Sequence, residues 1–574
     1  MDEEKRNTLL FFILSLLVII GYPYFFENNQ QVQPDNRAVI TDTMSDSMQN
    51  TAIKESNNNI KIQRQVNVKI EDIIIKSKRL SGKISSKGVL FNNVTLNDYK
   101  NDIEKDGNVS LFNNDNAKYF AETKWTSNDK TISVPDENSC WEVGENKVLT
   151  EQTPVTLTWD NQQGLLFEKK LSIDENYAIK IEDKVRNYSE NSYVLKCVSN
   201  IHRDFTKKPD SSSIVYEGPI GYLNGKSEQI KYEDIADKTN INYKTDGGWF
   251  GISDKYWLVA FIPNQTVSSN VSYIGNSDST SFQVVSDDGD TVVSAYSEAV
   301  KVNHVYLGAK EINTLDMYED KLNIKHFDLA IDFGWMYVLT KPFLYLVAYA
   351  KDLVGNMGLG ILLITLLLKL LMFPLSNKSY RSMNKMREAQ PKMKELQARY
   401  GNDKMRLSQE MANFYKKEGI SPMGGCLPML LQWPILFALY KVLYISIEMR
   451  QAPFIWWIHD LSQADTMYIL NCFGMIPVEL PGFLQIGIWP LLMGITMLLQ
   501  QKLSPTTPDP TQEKMMLLMP IMFTFMFAQM PSGLIVYWTF SNILNIIQQY
   551  WIMKLDERNK LKQIEAKQQK KEKN

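Results

Sequence analysis

The sequence predicts a polytopic α-helical membrane protein that carries a large exported antiparallel β-sandwich domain. Three observations predict it. Residues 27 to 340 are polar and acidic, with 34 Lys/Arg against 46 Asp/Glu, and much of this stretch alternates with a period of two. From residue 331 the pattern changes to long apolar runs separated by short basic segments. Inside one of those runs, Gly360 to Pro374, stands Lys369, a cation where a bilayer makes cations costly and usually functional. The net charge of −3 over 574 residues is therefore the sum of an acidic globular part and a basic membrane part.

Taken in order, Lys5 and Arg6 precede an apolar run from Thr8 to Phe26. The run is long and lacks a small-residue cleavage site, so residues 1–26 read as an uncleaved signal anchor, with a cleaved signal peptide as the other reading. Its flanking charge places the N-terminus in the cytoplasm and exports the polar stretch after it. Residues 27–62, rich in Asn, Gln, Ser and Asp, bury too little to order themselves and read as a flexible linker. Over 63–330, segments such as Val155 to Trp159, Leu165 to Leu171 and Tyr177 to Ile181 alternate between turn clusters, the mark of a large antiparallel sandwich. Residues 331–354 are aromatic-rich but interrupted by Lys341, Lys351 and Asp352, which suits an amphipathic helix in the membrane interface.

Residues 355–553 carry the remaining spans. Besides the run with Lys369 these are 427–447, 484–503, 515–530 and 533–553, the last two joined by the break at Gln529 to Gly533. With the anchor they make six. Alternating orientation puts 376–426, 504–514 and 554–574 in the cytoplasm; the first holds eleven Lys/Arg against five acids and the last eight against four, as the positive-inside rule requires. Residues 376–420 read as a cytoplasmic helical hairpin with Asp403 capping the second arm, and Lys378, Arg381, Lys385, Arg387, Lys392 and Lys394 form a basic docking surface. Simple topogenic charge is the alternative. Residues 554–574 read as a flexible basic tail.

The chemistry concentrates on Lys369. The bland account is that it snorkels to the cytoplasmic headgroups. A second polar surface favours a different one. Tyr537, Trp538, Ser541, Asn542, Asn545, Gln548 and Gln549 recur at helical spacing in the last span, and Thr365, Gln432, Thr496, Gln500, Gln501 and Thr524 add polar groups elsewhere. Some of these are helix-packing contacts. A stripe of them with an unpaired cation suits a water-filled recess open to the cytoplasm. No phosphate loop, nucleophile elbow or HExxH pattern occurs, so catalytic residues and cofactors are expected to be none. Four scattered histidines and four cysteines offer no metal spacing, although Cys140 and Cys197 could pair. The basic segments lack the interleaved aromatics of a base-reading module, which argues against direct base-specific nucleic-acid binding.

A run of local patterns carries a resemblance: Asp332 to Trp335, Thr365 to Lys369, Phe373 to Leu375, Met386 to Lys392, Gly424 to Pro428, Gln432 to Tyr440, Arg450 to Phe454, Trp457 to Leu461, Leu503 to Thr506 and Pro531 to Leu534. In this order they resemble the YidC/Oxa/Alb membrane protein insertases, in the Gram-negative YidC form. The resemblance implies a five-helix insertase core after a periplasmic β-super-sandwich, in the bacterial inner membrane. It implies insertion of nascent membrane proteins, alone or with the Sec translocon, without nucleotide hydrolysis. It also implies a hydrophilic substrate groove holding an arginine. Here that position is Lys369, which keeps the charge and loses the guanidinium fork. Thr365, Gln432, Tyr537, Trp538, Ser541 and Asn542 would line the groove with it. Expected partners are nascent chains, the Sec translocon, ribosome and signal-recognition components, and membrane lipids. Extra residues near Cys472 to Pro477 receive no role. The competing classes are a small-molecule transporter, which would show repeated halves, and a sugar-active exported sandwich, which would need an acid/base pair.

Overall fold

The computed structural model describes residues 70–572 apart from 102–106, 113–116, 207–214, 402, 420–426, 474, 477–480 and 505–509. The anchor expected at 1–26, the linker expected at 27–62 and Cys426 lie outside the described residues.

Strands occupy the chain from Asp72 to Ala309. Leu165–Ile173 buries every second side chain, and Ala178–Asn187 pairs with it antiparallel so that Asp183 lies opposite Lys169. Period two makes one face of each strand apolar, and those faces must be covered. These two strands belong to a nine-stranded sheet, and a six-stranded sheet is built around Tyr193–Asp204. Phe167, Ile181, Phe261 and Tyr306 of the first join Trp125, Ile201 and Val284 of the second in one buried core. A third, five-stranded sheet opens the domain; within it Val148–Leu149 pairs parallel to Asp72–Lys76, a departure from the all-antiparallel expectation. One charged pair sits inside the sandwich. Lys169 Nζ lies 2.5 Å from Asp183 Oδ1 with both side chains at most 3% exposed, and the ammonium also donates to the carbonyl of Thr123 at 2.8 Å. Cys140 and Cys197 are both free thiols, so the possible disulfide is not formed; Cys197 faces the buried core, whereas Cys140 is part-exposed.

The helices are α1 (Tyr232–Lys238) and α2 (Ile312–Leu322), then α3 (Tyr337–Val354), α4 (Met357–Tyr400), α5 (Lys404–Glu418), α6 (Leu427–Ile445), α7 (Ile488–Leu503), α8 (Pro510–Phe527) and α9 (Ser532–Glu572). Gly355 ends α3 in the left-handed region at φ 70°, where a glycine carries no Cβ penalty, and its N–H returns to the carbonyl of Lys351. Asn356 then starts α4 by accepting from the N–H of Leu359. Asp403 does the same for α5, accepting from Arg406 at 3.0 Å.

Two segments differ from expectation. The apolar run and the first arm of the basic hairpin form one helix, α4, unbroken at Pro374 and Pro391. The segment after residue 553, expected to be a flexible tail, is the continuation of α9. The reason is mutual support. Gln548 of α9 donates to Asn377 at 2.9 Å, Asn384 of α4 donates to Asp556 at 3.1 Å, and Lys560 pairs with Glu388. Each helix thus gives the other a partner well beyond its apolar part, which offsets the propensity lost at proline and in a charged tail.

These contacts advance together along both chains, so α4 and α9 run parallel. Thr496 against Asn542 and Leu503 against Gln549 make α7 parallel to α9 as well. α6 runs the other way, since Gln432 meets Lys369 whereas Phe454, beyond its end, covers Gly358 at the start of α4. The short turn before Ser532 reverses α8 against α9. By length and composition one helix among the described residues, α4, is long and apolar enough to cross a membrane; Lys514–Phe527 in α8 is a shorter apolar helix.

The strand-rich part and the helices meet through charged contacts. Lys441 of α6 bonds Asp332 at 2.7 Å, Lys341 of α3 bonds the buried Asp328 at 2.7 Å, and Arg450 donates to the carbonyl of Lys100 at 2.5 Å. Between α6 and α7, Asp465 accepts from Trp457 Nε1 at 2.8 Å and from the N–H of Trp489 at 2.8 Å, so a remote carboxylate caps α7.

Candidate functional site

Helical spacing brings Thr365 and Lys369, one turn apart on α4, to face Tyr537, Ser541 and Asn545, one turn apart each on α9. Gln432 enters from α6. The Lys369 ammonium donates to Asn545 Oδ1 at 2.8 Å and to Gln432 Oε1 at 3.2 Å. Gln432 passes the polarity on, donating from Nε2 to Ser541 Oγ at 3.2 Å. Among the described residues no carboxylate pairs with Lys369. Its charge is met by two neutral amide oxygens, which solvate an ammonium without cancelling it.

These groups border a small hollow, large enough to hold water. Thr365, Lys369, Ser376, Tyr380, Gln432, Tyr537 and Asn545 line it, with Leu368, Met372, Leu375 and Ile435 between them. From Thr365 to Tyr380 the lining covers ~22 Å of helix α4 at 1.5 Å per residue. It therefore extends from the apolar half of α4 into its basic half. Thr365 is buried and spends its hydroxyl on the carbonyl of Ile361 at 2.7 Å, so it offers the hollow a small side chain more than a free donor.

Of the seven residues expected around this site, the structure brings together Lys369, Thr365, Gln432, Tyr537 and Ser541. Trp538 and Asn542 are turned aside. Trp538 packs at a tilt against Phe527 and Phe523 of α8, with centroids 4.8 and 6.2 Å away, and Asn542 donates to Thr496 of α7 at 3.3 Å. One residue along a helix is a 100° turn, so the stripe that begins at 537 faces Lys369 and the stripe that begins at 538 faces α7 and α8. Asn545 is the nearest partner of the cation. The spacing of four from Ser541 was the signal for it.

On the basic arm, Lys378, Lys385 and Lys394 are exposed. Arg381 lies 3.9 Å from Asp556, Arg387 contacts Met553 Sδ at 3.6 Å, and Lys392 pairs with Glu418 of α5 at 2.9 Å. Three of the six thus make contacts within the protein, and all six remain exposed.

Two family descriptions match the chain: the 60Kd inner membrane protein over residues 349–560 and the YidC periplasmic domain over 72–346. The chain is 40% identical to the membrane protein insertase YidC of Rickettsia bellii, over 97% of this chain and 100% of that protein. It is equally close to the protein of the same name from Rickettsia prowazekii, with the same coverage. A crystal structure of an active YidC insertase with its first transmembrane domain resolved aligns with 84% of this chain and 94% of its own, at 15% identity and a TM-score of 0.35. The relatives extend over nearly the whole sequence, and the two descriptions cover its strand-rich and helical parts in turn. The chain belongs to the YidC family of membrane protein insertases.

Proposed function

We propose that this protein inserts nascent membrane proteins into the bacterial inner membrane through the hollow around Lys369. The relatives' names describe a non-enzymatic activity, and the reading requires no catalytic residue, nucleotide or cofactor. The observation that carries it is the Lys369 ammonium, held among amides inside the helical part with no described counter-charge.

In this reading the N-terminus is cytoplasmic, residues 63–330 are periplasmic, and six spans include an anchor at 1–26 and helices α4 and α6 to α9. The opposed directions of α4, α7 and α9 against α6 and α8 support that alternation. The lining of the hollow runs on to Ser376 and Tyr380 in the basic half of α4, which supports an opening on the cytoplasmic side. A nascent chain's hydrophilic end has to cross ~30 Å of hydrocarbon. A wet recess partway through shortens the dry path. Lys369 attracts an acidic or polar end there more strongly than it would in bulk water, because the local dielectric is lower. The substrate's apolar segment then leaves into lipid, driven by ~0.8 kcal/mol per buried methylene. Exposed apolar side chains on α6 (Trp433, Phe437) and α8 (Leu517, Ile521, Phe525) support those helices as the exit face. The α4–α5 hairpin and the end of α9 receive ribosome, signal-recognition or Sec translocon partners, without base-specific contacts.

The test replaces Lys369 with Ala, Glu and Arg and follows insertion of a single-span substrate with a short acidic tail. Ala and Glu are expected to slow insertion roughly tenfold, the equivalent of ~1.4 kcal/mol in the barrier. Arg is expected to retain it, since charge and not a fork is what the amides hold. Undiminished insertion with both Ala and Glu removes the cation from the mechanism.

A further inference from the structure

We propose that the loop between α6 and α7 dips an apolar tip, Leu470 with Phe473, Met475 and Ile476, into the lipid leaflet on the exported side. This rests on the reading of α7 as a membrane span. From Thr466 to Val478 the sequence has no charged residue. The preceding carboxylate, Asp465, is turned inward to hold Trp457 and Trp489. Among the described residues from 470 to 476, the exposed side chains are Leu470, Cys472, Phe473, Met475 and Ile476, with Met475 81% exposed. Phe473 occupies the left-handed region at φ 62° and is 54% exposed.

The loop is fixed at the level of the helix ends. The N–H of Ile469 bonds the carbonyl of Ile486 at 3.1 Å, two residues before α7 begins. Phe473 is four residues further on, so it lies within ~14 Å of that anchor. A headgroup layer is roughly 5–7 Å deep on each side of the hydrocarbon. Phe454 contacts both Gly358 at the start of α4 and Trp489 at the start of α7, which puts the loop and both helix starts at one level. Trp456, 73% exposed, stands beside it where an interfacial belt places tryptophan. The tip is therefore continuous with the membrane-facing surface.

Lipid fits this tip better than a protein does. A stable protein interface needs about 800 Å² and 20–30 residues on each side, whereas this tip offers four large apolar side chains. A fluid apolar medium needs no matching shape.

The experiment uses the full chain in phosphatidylcholine vesicles, with the native cysteines replaced by Ala and a nitroxide at Met475→Cys, Ile495→Cys or Tyr296→Cys in turn. Power saturation compares collision with oxygen, which partitions into lipid, and with a water-soluble nickel chelate. The oxygen-to-nickel ratio at 475 is expected to lie several-fold above that at 296, an exposed site on the strand-rich part, and to approach that at 495 on α7. A ratio at 475 equal to that at 296, with 495 lipid-like, overturns the inference and leaves the span in place. Water-like values at both 475 and 495 overturn the span reading as well. Protection of 475 from both reagents means that protein covers it, another part of the chain or a second copy, and also overturns the inference. A second measurement keeps Cys472 and replaces the other three cysteines by Ala: a charged maleimide should modify Cys472 in vesicles several-fold more slowly than in the F473D/M475D variant, and equal rates would sink the idea.

Discussion

Lys169 and Lys369 are both withdrawn from bulk water, one in each half of the molecule, and their partners differ. Lys169 in the β-sandwich faces a carboxylate at 2.5 Å, and the pair is completed by Thr123 of the opposite sheet. Lys369 in the helical part faces only the amide oxygens of Gln432 and Asn545 and borders a hollow. A cation neutralised where it stands is finished business: it ties strands together and has nothing left to attract. A cation solvated but not neutralised keeps its field. The comparison teaches that burial alone does not mark a functional charge. The chemistry of the partner does.

The largest effect that can break this contrast belongs to the sandwich. Lys169→Ala leaves Asp183 buried with Thr123 as its remaining partner, and removal of one member of a buried pair costs about 3–5 kcal/mol. Denaturant unfolding of the purified protein, followed by the near-ultraviolet signal of the sandwich aromatics, should show that loss. Replacement of both residues by apolar ones of similar volume (Lys169→Met with Asp183→Leu) should recover most of it, because the cost lies in the widowed charge. A single Lys169→Ala variant as stable as the parent would mean the pair is hydrated, and the contrast with Lys369 would lose its first half.

The legible part of this molecule is set by the range over which each pattern acts. Period two in Leu165–Ile173 shows which side chains go inward, and it places Lys169 on the buried face, but the carboxylate opposite depends on a register set by the whole hairpin. Asp403 before a basic helix is a local signal, and a side-chain cap needs nothing more. The stripe 537, 541, 545 is likewise local, whereas the choice of neighbouring helix, Lys369 for one stripe and Thr496 or Phe527 for the next, is tertiary. The same limit hid the unbroken course of α4 through Pro374 and the helical end of α9. Each looks weak alone, and each is held by contacts from the other. Cys140 and Cys197 show it once more: shared residence in the strand-rich half says nothing about distance, and both remain thiols.

A third lysine sharpens the comparison with an intermediate effect. Lys310 is buried in the strand-rich half, donates to Ser253 Oγ at 2.9 Å, and has carboxylates at Asp332, Asp254 and Glu217 near enough to favour its charge without closing on it. Burial outweighs them and pulls its pKa down to about 8. In the unfolded chain the group titrates near 10.4. Between these values the unfolded state binds more protons, so stability rises with pH there, by at most about 1.4 kcal/mol per pH unit for one group. Below pH 8 both states are protonated and this penalty is constant at about 3 kcal/mol. The slope of unfolding free energy between pH 8 and 10 should therefore fall in Lys310→Met relative to the parent. An unchanged slope would show that the carboxylates neutralise Lys310 as fully as Asp183 neutralises Lys169.

The smallest stability effect should come from Lys369 itself. Lys369→Met removes two hydrogen bonds from a charged donor, together worth about 3–6 kcal/mol, and also removes the cost of holding an ammonium away from bulk water. The two terms oppose each other. Gln432 keeps its bond to Ser541, and the amide oxygens freed at Gln432 and Asn545 border the hollow, where water can replace the ammonium. The net change in unfolding free energy should stay within about 1 kcal/mol, while insertion of an acidic-tailed substrate falls as it does for Lys369→Ala. Stability and insertion thus separate at this residue and only here among the three lysines. If Lys369→Met instead destabilises the helical part by several kcal/mol, its amide partners act as Asp183 does, and any loss of insertion reports a damaged bundle and not a missing attraction.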